Sequence, residues 1–149
     1  VTETPAGRVA PSRLAWFLDA AIAAGAASTG ALLIFGRARD GMWAGFAQVG
    51  RVVGREWTQS VASQAALGLV VHLGQMAALG AAMALLLGST RISSRLRAAL
   101  LVVLAWEIAA RVPWLAVLRA DMASNLALAP RIGLVALVAL ALAFAPRRR

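Results

Sequence analysis

Between Val61 and Gly88 the chain carries no Asp, Glu, Lys or Arg. At about 1.5 Å per helical residue such a run crosses the ~30 Å hydrocarbon core of a bilayer. Three more apolar runs share the chain. Residues 14–35 hold one charge, Asp19; residues 98–118 hold Glu107, Arg111 and Pro113; residues 126–146 hold Arg131 after Pro130. Pro130 suits a first helical turn, and Arg131 is expected to reach up to the headgroups.

Hydrophobic residues make up 61% of the sequence and charged ones 14%, against roughly 45–50% and about a quarter in soluble domains. A soluble domain of this length lacks the interior to hide that much apolar surface. The expected fold is therefore all-α and polytopic: an antiparallel four-helix transmembrane bundle, forming a single integral membrane domain over residues 1–149. The polar lead before residue 14 has no clear cleavage site after the apolar run, so the first helix is read as retained and not as a signal peptide.

Residues 40–59 differ in kind. Trp43, Phe46, Gly50, Val53 and Trp57 share one helical face, and Gln48, Arg51, Arg55 and Gln59 the other. This pattern predicts an amphipathic helix lying in the membrane interface after the first span. The rival reading is a surface helix packed on the spans.

The net charge of +9 invites a nucleic-acid reading. The arginines flank apolar runs and do not line one polar face, which argues against it. Four spans place Arg8, Arg13, Arg91, Arg95, Arg97 and the three terminal arginines on one side. Arg37, Arg39, Arg51, Arg55, Arg119 and Arg131 fall on the other. The excess puts both termini in the cytoplasm. With no Lys and much Ala, Gly, Val and Leu, the expected setting is the inner membrane of a bacterium with a GC-rich genome. Cysteine is absent and there is one His, so thiol chemistry and disulfides are excluded and neither a metal nor a cofactor is expected.

Arg13-Leu14-Ala15-Trp16-Phe17-Leu18-Asp19, followed by an apolar run, resembles the opening of the RDD family of small membrane proteins. The likeness covers little more than the first helix. The chain departs from that family in lacking the Gly-Lys motif after the second span and the later Arg-Asp signature.

Ionisable side chains inside a bilayer cost roughly 2.5–3.5 kcal/mol each on insertion scales and normally face protein or water. Asp19, His72, Glu107 and Arg111 are such groups. Glu107 and Arg111 stand four apart in the favourable order for an ion pair, and Pro113 frees a carbonyl behind them. Their bland reading is mutual neutralisation. In the second span Gln64, Gly68, His72 and Gln75 form a polar stripe, whose bland reading is hydrogen bonding between helices. His72 and Glu107 fall at similar depth in antiparallel helices.

One cavity is expected to hold both as an acid–base couple, with Arg111 stabilising an anion. Asp19, Gln64, Gln75, Trp106 and Trp114 would line its walls. Three functions follow: a pocket that binds a lipophilic small molecule or moves protons, a membrane enzyme such as a cyclase, isomerase or hydrolase, or an accessory subunit. The expected partners are the bilayer, a hydrophobic small molecule, and a membrane protein or second copy of the chain.

Overall fold

The structure is a computed structural model and describes residues 13–39, 41–54, 60–86, 91–109 and 128–145. Arg111, Pro113, Trp114, Trp57, Arg55, Gln59 and Arg119 lie outside the described residues, as do the flanking arginines at 8 and 147–149. The described residues form five helices and no strand: α1 (Arg13–Arg39), α2 (Ala44–Val53), α3 (Val61–Leu86), α4 (Ile92–Ala109) and α5 (Leu128–Phe144).

Two of them, α1 and α3, are long and apolar enough to cross a membrane, and α5 is a shorter apolar helix. α1 runs past the expected stop at Gly36. One glycine costs a helix only about 1 kcal/mol. The terminator is Gly41, at φ +106°, a conformation that suits glycine because it has no Cβ. Its N–H returns to the Gly36 carbonyl at 3.0 Å, satisfying one helix-end acceptor. α3 begins at a capping serine, with Ser60 Oγ accepting from the Ser63 N–H at 3.1 Å.

α4 begins at Ile92, earlier than the expected third span. The Arg91 carbonyl accepts from the Ser94 and Arg95 N–H groups at 3.1 Å, so the stretch expected as a polar turn is the first helical turn. Arginine is a good helix former, and polarity alone misplaced this boundary. Arg95 is also buried, although the arginine count took it as a charge of the polar turn between two spans. Its Nη2 donates to the Ala145 carbonyl at 2.9 Å, and its guanidinium lies 4.6 Å from the Trp16 ring centroid.

α2 is shorter than expected, and its apolar face is not turned outward. Phe46, Ala47, Val49 and Gly50 are buried against α3, whereas Trp43 stays about half exposed. A Cβ on Gly50 would lie 1.8 Å from the Gln64 carbonyl oxygen, and one on Gly68 would lie 1.8 Å from that of Phe46. The two backbones touch through these glycines, so the apolar face is spent on protein and the packed-helix reading replaces the interfacial one.

The four longer helices pack in a ring: α1 on α3, α3 on α4, α4 on α5 and α5 on α1. Close approaches fix their directions. Gly80 meets Ala21 while His72 meets Ser28, so α1 and α3 are antiparallel. Arg95 reaches Ala145 while Glu107 reaches Arg131, so α4 and α5 are antiparallel.

One apolar core joins Ala24, Met76, Val102 and Leu142. A second gathers Leu32, Phe46, Val49 and Leu134. Outward positions are apolar as well, including Ile22, Val70, Leu85, Leu104, Ile108 and Phe144, whereas Asp19, Ser28, His72, Gln75 and Arg95 are buried.

Candidate functional site

The four longer helices border a half-open cavity of about 30 Å³ near the middle of α1 and α3. His72, Ser28 and Glu107 supply its polar lining; Met76, Val103, Trp106, Leu134 and Val138 supply most of the rest. A space of at least 10–15 Å³ on this measure holds one water, provided polar groups meet it. The volume suits a water and is too small for a drug-sized or lipid-like molecule.

His72 is buried, and its Nε2 lies 2.9 Å from Ser28 Oγ. Ser28 Oγ is also 2.6 Å from the Ala24 carbonyl, one turn back on α1. A hydroxyl has one proton. With that proton given to Ala24, Ser28 accepts from the His72 Nε2–H, which leaves Nδ1 as the basic nitrogen of the ring. Phe46 of α2 closes over the imidazole edge-on, with centroids 5.7 Å apart and planes at 69°. α2 therefore covers one side of the histidine.

Glu107 projects from α4 and is paired with Arg131 of α5, whose Nη2 donates to Glu107 Oε2. Leu134, Val135 and Val138 form the α5 wall of the cavity. Arg131, expected to reach the headgroups, is partly exposed in the first turn of α5 and pairs with this carboxylate on the neighbouring helix. The expected intrahelical partner, Arg111, lies outside the described residues.

The other expected residues are dispersed. Trp106 lines the cavity. Gln64 is at the α2–α3 contact, where Arg51 Nε donates to its Oε1 at 3.4 Å. Asp19 is buried one turn beyond Trp16, at the end of α1 where Arg95 meets Trp16. Gln75 is buried on α3 and is not part of the cavity lining. Trp114 lies outside the described residues. Among the described residues no group of three His, Asp or Glu side chains converges as a metal site.

Sequence reasoning missed Ser28, Phe46 and the role of Arg131. A lone serine in an Ala-rich helix carries no charge to announce it. The available clue was depth, because Ser28 and His72 both sit near the middle of adjacent helices. No family model, curated protein or solved structure matches the chain.

Proposed function

We propose that this chain is an integral membrane protein whose four longer helices form an antiparallel bundle, and that the cavity between His72 and Glu107 transfers protons through a bound water. The observation carrying this reading is the meeting of Ser28, His72 and Glu107 at one water-sized, otherwise apolar cavity. Apolar side chains outside and polar ones inside match lipid as the solvent. Both termini would face the cytoplasm of a bacterial cell.

In the proposed step, Arg131 positions the Glu107 side chain at the cavity. Ser28 fixes the imidazole tautomer, so that Nδ1 is the ring nitrogen left to take up and return a proton. The carboxylate is the second proton acceptor of the couple. Ser28 itself is a poor nucleophile here, since its proton goes to the Ala24 carbonyl and not to histidine. That orientation disfavours a hydrolase built on Ser28.

The test is proton flux. In liposomes carrying an internal pH dye, the protein should conduct protons down an imposed gradient. His72→Ala and Glu107→Gln should each lower the rate on the order of a hundredfold while the protein stays folded. Flux equal to empty liposomes for the unaltered protein would end the reading.

Topology is tested separately in this cysteine-free chain. Both Ser60 and Ser93 are exposed. Ser60→Cys should react with an impermeant thiol reagent from outside the cell, and Ser93→Cys only after permeabilisation.

A structural accessory role has its own support. Charges inside the ring find partners, Glu107 on Arg131 and Arg95 on the Ala145 carbonyl, as helix-registering contacts would. In that case the same substitutions weaken assembly, and no flux is seen at any stage.

A further inference from the structure

We infer that Phe46 of α2 is the positioning residue for His72, holding the imidazole in the orientation that puts Nε2 on Ser28. The inference rests on the proton-transfer reading proposed above and brings α2 into that site. Phe46 is fully buried and is not part of the cavity lining. Its ring stands against the imidazole instead, with centroids 5.7 Å apart and planes at 69°. Its effect on the site therefore passes through His72.

The terminal torsion of a histidine is broad and roughly two-fold, so a half turn about Cβ–Cγ is the competing orientation. That turn puts Cε1 where Nε2 met Ser28 and exchanges Nδ1 with Cδ2. The turned ring has no nitrogen on the Ser28 hydroxyl, so its tautomer is no longer set. A neutral hydrogen bond between membrane helices favours one state over another only about threefold. The Ser28 bond alone thus leaves roughly a quarter of the rings turned. Packing is the stronger restraint, because a close-packed interior offers no void for a ring to sweep through. Phe46 borders the space that the turning imidazole must cross.

The backbone sets Phe46 in place. Gly68 and His72 stand four apart on one face of α3. A Cβ on Gly68 would lie 1.8 Å from the Phe46 carbonyl oxygen. The bare glycine admits the α2 backbone, and the Phe46 ring reaches the histidine one turn on. Trp43, about half exposed, packs on Phe46 with ring centroids 5.9 Å apart. Three rings in series thus lead from the surface to the imidazole. Gly50 meets Gln64, so α2 runs antiparallel to α3 and its later residues lead away from His72.

The test uses the full chain in lipid, labelled with ¹⁵N-histidine, whose spectrum reports His72 alone because the chain has one histidine. The unaltered protein should show one ring form, protonated at Nε2. Phe46→Ala should add a second form holding roughly a quarter of the signal. Ser28→Ala should keep one form, since Phe46 still blocks the turn. With both substitutions the two forms should be of comparable strength. Val49→Ala truncates another buried side chain of α2, one turn farther from His72, and should leave the single form. Proton flux into liposomes should fall in step with the turned fraction.

Far-UV circular dichroism confirms that each variant is folded; Phe46→Leu, which also removes the flat ring, serves if Phe46→Ala is not. A single unchanged form in the Phe46 variant, or the same second form in Val49→Ala, overturns the inference. A second form confined to the Phe46 variants, with flux in the unaltered protein no higher than in empty liposomes, breaks the proton-transfer reading alone.

Discussion

The two halves of the helical ring are held by different chemistry. On the α1–α3 side, with α2 against it, the buried contacts are neutral and close: Ser28 to His72, and glycines that bring the backbones of α2 and α3 together. On the α4–α5 side the polar contacts are charged and sit near the two ends of the pair, Arg95 to Ala145 and Glu107 to Arg131. A neutral, tightly packed wall and a charged wall meet at one cavity. Polar groups in such an interior are tolerated when a neighbouring helix completes them, and the kind of completion decides what a substitution does.

The largest effect should come from the neutral side. Gly68→Val places atoms where the Phe46 backbone already stands, and backbone cannot step aside as a flexible side chain can. Overpacking of this kind costs about 1–3 kcal/mol or more and should release α2, exposing His72. Unfolding in mixed micelles, followed by circular dichroism, measures it. Gly74→Ala on the same helix is the control, since no atom lies within 4 Å of the added Cβ. It should be neutral or stabilising by up to about 1 kcal/mol.

The charged side should break asymmetrically. Arg131→Leu leaves Glu107 without this partner and should cost about 1–2 kcal/mol, less than at a fully buried pair because both side chains are partly exposed. Adding Glu107→Gln should restore most of that loss, because a neutral amide needs no counter-charge. Equal stability of the single and double variants would show that the pair does not bind the two helices. The smallest effect should be Ser28→Ala, which removes one neutral bond worth about 0.6 kcal/mol between membrane helices.

These contrasts mirror what was legible in the sequence. Uninterrupted apolar runs gave α1, α3 and α5 with little ambiguity, because length and hydropathy are local properties. The polar stripe singled out His72, and the search for charges inside apolar runs singled out Glu107. Both line the cavity. The neutral contacts stayed hidden because they are relations between helices. Gly50 and Gly68 form no motif within either helix and matter only because each faces the other's neighbour. Arg131 was expected at the headgroups, and its contact with Glu107 is likewise a relation between two helices that neither segment announces alone. The start of α4 was misread because Ser93, Ser94 and Arg95 are polar, although a buried cation–aromatic contact and a carbonyl absorb Arg95.

The central claim concerns one imidazole, and the chain has one histidine. Labelling with ¹⁵N-histidine therefore gives a spectrum of His72 alone in the intact protein in lipid. The account predicts a neutral ring protonated at Nε2, an Nε2 resonance that moves in Ser28→Ala, and an Nδ1 resonance that moves in Glu107→Gln as proton flux is lost. An Nδ1-protonated ring, or a spectrum indifferent to Glu107→Gln, would contradict it.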